Sequence, residues 1–194
     1  MATPTAQKKP AAPKAAAPKT APVAQASGKV RHSQAAQHPA LLIMRIRGSS
    51  HSRHTVEQAL HQLHLNRRCH ATIANAKNAP RGVLQKVKDY VAWGPADAAT
   101  IELLLTKRGE LKRGQKMTDA TLAKTYSGYK TISELANALA SGKVYLAQVE
   151  GVQPCIRLTP PKGGFGGTIK TPVNSKGALG DHGDKISKLA ASMV

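Results

Sequence analysis

The chain has 194 residues, with 29 Lys or Arg against 10 Asp or Glu, a formal charge of +19 and a pI near 10.3. Such an imbalance repels copies of the chain and attracts polyanions, while an aromatic content of 3% argues against reading single-stranded bases by stacking on a ring-lined sheet. Two cysteines far apart in sequence, no apolar run of membrane-spanning length and no apolar middle to the N-terminus argue against a disulfide framework, a membrane partner and a secretory signal.

Residues 1–39 carry Lys8, Lys9, Lys14, Lys19, Lys29 and Arg31 but no acid. Their repeated prolines forbid a continuous helix, and little in them offsets the entropy of ordering, so a disordered basic arm is expected. Residues 40–194 form the folded part, with a glycine-rich C-terminal extension from about 160. "ALLIMRIRG" places Leu42, Met44 and Ile46 on one face and Arg45 and Arg47 on the other, the period of a half-buried strand. "HTVEQALHQLHL" sets Val56, Ala59, Leu60 and Leu63 at helical spacing. "CHATIA" reads as a second strand, and "RGVLQKVKDYVAWG" as a second helix with Val83, Leu84, Val87, Tyr90 and Val91 inward, stopped by Gly94 and Pro95.

Three further helices are predicted. The first runs through "DAATIELLLTKRG", from an Asp97 cap to Gly109, with Lys107 and Arg108 at the negative end of the helix dipole. The second is "TDATLAKTY". The third is "ISELANALASG", opened by a capping box of Thr131 and Glu134. "PCIRLTPP" restores the strand period, and "DKISKLAASM" closes the chain as a short helix. Strand, helix, strand, helix, helical insertion, strand and tail suit an α+β sandwich: a three-stranded sheet with helices packed on one face.

The stretch "LTPPKGGFGGTIKTPVNSKG" holds no phosphate-cradling loop for a small nucleotide. G-x-x-x-x-G-K-[ST] is absent, and a G-x-G-x-x-G starting at Gly164 meets Ile169 where glycine is needed. An extended backbone with Lys162, Lys170 and Lys176 widely spaced, and with Gly163 and Gly164 admitting close approach of main-chain N–H groups, suits successive phosphates of a long polyanion. Arg45 with Arg47, Arg67 with Arg68, Arg81, Lys86 with Lys88, and "TKRGELKRGQK" with Lys107, Arg108, Lys112, Arg113 and Lys116 extend that surface. His54, Glu57, His61 and His64 share a helix face, but HExxH is absent and nothing orients them as ligands, so a solvated polar face is expected rather than a zinc site. No nucleophile elbow and no paired carboxylates support catalysis, and no cofactor is expected. The Ala/Pro/Lys arm also suits a chromatin-like DNA-compacting protein, which would bind any long duplex alike.

"IMRIRG", "LQKVKDYVAWG", "LLTKRGEL", "GYKTISELANALASG", "GVQPCIRLTPPKGGFGG" and "GALGDHGDKI", in that order from about Leu41 onward, resemble the archaeal and eukaryotic form of the large-subunit ribosomal protein thirty family, with details closer to archaeal members. The resemblance implies a core related to the ferredoxin-like fold, with a three-stranded antiparallel sheet. It also implies a structural, non-enzymatic role in the cytoplasmic large ribosomal subunit, with rRNA as partner in a neighbourhood that includes 5S rRNA and other ribosomal proteins. The matching strings contain Arg45, Arg47, Lys86, Lys88, Trp93, Arg157, Lys162, Gly163 and Gly164; their contact with RNA is expected from charge and exposure. The histidines of the first helix stand where the family more often has Lys or Arg, and residues 1–39 fall outside its pattern.

Overall fold

The computed structural model describes residues 40–50, 52–75, 81–112, 114–125 and 128–194; the arm expected over 1–39 lies outside the described residues. The elements follow in the order β1 (Ala40–Arg45), α1 (His54–Gln62), β2 (His70–Asn75), α2 (Arg81–Val87), β3 (Val91–Pro95), α3 (Ala98–Arg108), α4 (Asp119–Thr125), α5 (Ile132–Ala140), β4 (Ile156–Arg157), β5 (Thr168–Pro172), β6 (Gly177–Asp181) and α6 (Lys185–Ser192). The strands form one mixed sheet in the order β4-β2-β1-β3-β6-β5. β1 runs antiparallel to β2 and β3, and β2 antiparallel to β4, while β3–β6 and the irregular β6–β5 pairing are parallel.

The expected α+β class holds, but the sheet has six strands rather than three, and helices cover both faces rather than one. The reason lies in β1, every residue of which is buried. Its Leu42 and Met44 join a cluster with Ile101, Leu104 and Leu105 of α3, Leu135 and Leu139 of α5 and Ile186 of α6. Its Leu41 and Ile43 join a second cluster with Ala59 and Leu60 of α1 and Val87 of α2. A continuous apolar run marks a strand buried on both sides, whereas the half-buried reading gave its weight to the arginines that follow.

Two local expectations also change. The second helix stops at Val87, and the Tyr90 N–H closes a turn onto the Val87 carbonyl at 2.9 Å. Val91–Pro95 is then a strand, with Ile43 opposite Trp93. Val83, Val87 and Val91 fit a helical stripe, which hid the β-branched and aromatic character of "VAW". The glycine-rich extension, expected as loop and tail, contributes β5 and β6. By contrast, Thr131 caps α5 as expected, its hydroxyl accepting from the Glu134 N–H at 3.3 Å. The Glu134 carboxylate reaches back to the Lys130 N–H. Asp97 stands at the start of α3 but makes no side-chain cap bond; its carboxylate accepts from Ser187 on α6 at 3.4 Å.

Gly94 shows how closely β3 meets the C-terminal unit. A Cβ there would lie 2.6 Å from the Gly183 carbonyl oxygen and 2.9 Å from the Ile186 side chain. Gly94→Ala is expected to push α6 off the sheet and cost about 1–3 kcal/mol of stability, read as a lower midpoint in urea unfolding. An unchanged midpoint would show that this approach is not tight.

Candidate nucleic-acid interface

Arg45 closes β1 and points into the protein. It is 3% exposed. Its Nε donates to the Arg47 carbonyl at 3.0 Å, and its Nη1 donates to the Leu65 and Asn66 carbonyls at 2.7 Å each. Those carbonyls belong to the loop leaving α1, so one guanidinium ties the central strand to the loop. Burial lowers its pKa, opposed in part by the Glu57 carboxylate. The expectation that Arg45 presents charge to RNA is therefore corrected: its Nε and Nη1 donors are spent on the chain's own carbonyls, which would otherwise be left unsatisfied.

Most other predicted residues are at the surface. Arg67 and Arg68 are exposed on the loop into β2, Lys86 and Lys88 at the end of α2, and Lys112 beyond α3. Arg47 is half-buried, its guanidinium 5.5 Å from the centre of the Tyr90 ring, a cation–π distance. Lys162, Gly163, Gly164, Lys170 and Lys176 are exposed. Gly163 and Gly164 have φ of 85° and 82° with open space where a Cβ would stand, so backbone conformation, not crowding, favours glycine there. Arg113 and the side chain of Arg81 lie outside the described residues. The predicted residues do not form one patch. Lys86 and Lys88 stand at the C-terminal end of α2, which packs on one side of the sheet, whereas Lys112 comes after α3, which packs on the other.

One convergence was not anticipated. After α3 the chain makes a tight hairpin: the Met117 N–H donates to Gly109 O at 2.9 Å and the Leu111 N–H to Gln115 O at 2.8 Å. This sets Glu110 opposite Lys116. Gly109 is required at the pivot, since a Cβ would fall 2.3 Å from the Leu105 carbonyl oxygen. Edge strand β4 brings Arg157 alongside, within 3.8 Å of the Glu110 carboxylate. Together Lys107, Arg108, Gly109, Glu110, Lys116, Arg157 and Val194 line a cleft of about 530 Å³. The sequence marks Lys107, Arg108 and Lys116 as part of a basic run, but nothing in it joins that run to Arg157. The two glycines at 109 and 114 flanking "ELKR" were the available sign of a hairpin that turns Lys116 back toward α3.

His70 sits across the ladder from Arg157. Its Nδ1 is buried with no hydrogen-bond partner among the described residues. Burial lowers its pKa, and Arg157, Arg67 and Arg45 push it further down. Burial raises the thiol pKa of both Cys69 and Cys155, and both are free. On α1, the Gln58 amide donates to His54 Nε2 at 3.0 Å and the Ser52 hydroxyl to Glu57 at 3.0 Å. Among the described residues no three His, Cys, Asp or Glu side chains gather as a metal site, and no helix is long and apolar enough to cross a membrane.

No family model matches the chain. Among curated proteins, it is 38% identical over 156 residues to "Large ribosomal subunit protein uL30" of Korarchaeum cryptofilum, covering 80% of this chain and 96% of that protein. The protein of the same name from Desulfurococcus amylolyticus is 41% identical over 156 residues, covering 78% and 96%. That of Cenarchaeum symbiosum is 39% identical over 155 residues, covering 80% and 98%.

Two outcomes follow from these environments. Arg45→Ala strands two loop carbonyls and is expected to lower stability by about 2–4 kcal/mol, with Arg45→Lys recovering part of it; equal stability of all three proteins would overturn the role. For His70, the folded pKa lies below the unfolded one, so the unfolded chain takes up the proton first as pH falls. Stability is unaffected above about pH 6.5, declines as pH passes below it, and reaches its full loss under the folded value. Thermal midpoints at pH 7 and pH 5 should therefore drop further for the parent than for His70→Gln; parallel drops would show that His70 is not the group responsible.

Proposed function

Because the chain belongs to the uL30 family of large ribosomal subunit proteins, we propose that it serves that subunit as an rRNA-binding structural component, acting through phosphate-backbone contacts and supporting subunit assembly and translation. The role is structural and not enzymatic. The observation that carries the RNA reading is the idle state of the surface cations. The chain carries 29 Lys and Arg against 10 Asp and Glu, and among the described residues the one ion pair is Arg157–Glu110 at 3.8 Å. Cations left unneutralised by their own chain are the ones a phosphate backbone neutralises, with release of its counter-ions.

The split of basic residues between the two sides of the sheet suits a protein wedged between RNA segments. Arg67, Arg68, Lys86, Lys88, Lys112 and Arg157 then meet different strands, and Lys162, Lys170 and Lys176 follow the backbone along the glycine-rich segment. Arg47, stacked on Tyr90, presents its remaining donors in a fixed plane. The environment proposed includes 5S rRNA and neighbouring ribosomal proteins.

A lysate sedimented through a magnesium-containing sucrose gradient tests the reading. The chain is expected with large subunits and full ribosomes and to persist through a moderate-salt wash; a position at the top of the gradient, or with DNA, would overturn it. With purified large-subunit rRNA, Lys86→Gln with Lys88→Gln should flatten the plot of log affinity against log salt by about 0.7–0.9 for each contact removed.

A further inference from the structure

We propose that the cleft between the end of α3, the 109–117 hairpin and edge strand β4 seats the sugar-phosphate backbone of rRNA, and that Glu110 is its resident counter-anion, displaced when a phosphate enters. This deepens the rRNA reading above and rests on it.

The cleft gathers four cations from three separate segments: Lys107 and Arg108 from α3, Lys116 from the hairpin and Arg157 from β4. Its volume of about 530 Å³ falls in the range of small-ligand sites, roughly 300–1,000 Å³, which exceeds what one phosphate group needs. Yet its lining contains no aromatic ring. A base entering it would find no aromatic platform, while four cations meet it with charge, so the occupant that fits best is a stretch of backbone rather than a nucleobase or a free nucleotide.

The cations are held but not satisfied. Arg108 is anchored by one bond, Nη2 donating to the Val194 main-chain oxygen at 2.9 Å, and keeps its other donors. The Arg157 side chain is 61% exposed and meets Glu110 through a single 3.8 Å approach, not the two-point fork that makes an arginine–carboxylate pair strong. Lys107 and Lys116 are exposed. Glu110 is the one acidic side chain among the lining residues, its backbone opposite Lys116 across the hairpin and its carboxylate near Arg157. A phosphate can make a two-point bond to Arg157 and a further contact to Lys116; the carboxylate as placed makes only its one approach.

The decisive measurement is rRNA affinity of the full chain from 50 to 200 mM salt, for the parent, Arg157→Gln, Lys116→Gln and Glu110→Gln. The two cation variants are expected to bind more weakly, each with a salt slope lower by about 0.7–0.9. Glu110→Gln is expected to bind about two- to fivefold more tightly, and by more than Asp184→Asn, the same charge change at an exposed acid outside the lining. If the parent binds rRNA but the cation variants keep its slope and Glu110→Gln binds no tighter, the seat is refuted while the rRNA reading stands; if the parent fails to bind rRNA, that reading falls with it. Competition with polyphosphate and polyglutamate of equal length separates partner classes: polyglutamate displacing better would assign the cleft to an acidic protein and overturn the proposal. Saturable micromolar binding of inorganic phosphate, with rRNA affinity indifferent to Arg157→Gln, would assign it to the free anion and overturn it likewise.

Discussion

The fold depends on one strand being apolar in both directions. β1 sits near the middle of the sheet, with β2 and β3 hydrogen-bonded on either side and helices above and below. A strand in that position has no face left for water, so its six residues must all be placed inside. The last of them, Arg45, is admitted only because three carbonyls receive its donors. A buried charge without such partners would be strongly unfavourable. The same bonds orient the loop that carries Arg67 and Arg68, so the core sets where part of the surface charge stands.

From this centre the basic residues are distributed by topology. Helices on opposite faces, a hairpin after α3 and a short edge strand each carry a few cations outward. No single element is a binding motif. The charge is spread over several separate places on the surface rather than gathered in one patch. Where cations do converge, at the cleft beside Arg157, they do so through long-range pairing: residues 107–116 and 157 meet only once β4 is laid beside β2.

Much of this was legible in the sequence, for identifiable reasons. Helices α1, α3, α5 and α6 announce themselves by periodic apolar residues, and the Thr131 cap by its spacing to Glu134. The α+β class follows from element order. What misled was local ambiguity: "VKDYVAWG" satisfies a helical stripe until β1 claims it as a neighbour, a preference that exists only in the assembled sheet. β5 and β6 are short and glycine-rich, so their strand character comes from pairing rather than from their own residues. Arg45 reads as a surface cation because sequence shows its charge and not the carbonyls that meet it. Lys107, Arg108 and Lys116 lay in a recognised basic run, but their convergence with Arg157 joins residues more than forty positions apart in sequence.

The two ends of the sheet carry a consequence of a different kind. β4 pairs with β2 over only Ile156 and Arg157 and is bracketed by Pro154 and by Pro160 and Pro161. At the far end, β5 is exposed, carries Lys170, ends at Pro172 and keeps an irregular register with β6. Neither margin offers the long, flat row of free N–H and C=O groups on which another chain could add a strand. These blunted margins, together with the mutual repulsion of copies carrying a formal charge of +19, disfavour strand addition from one molecule to the next.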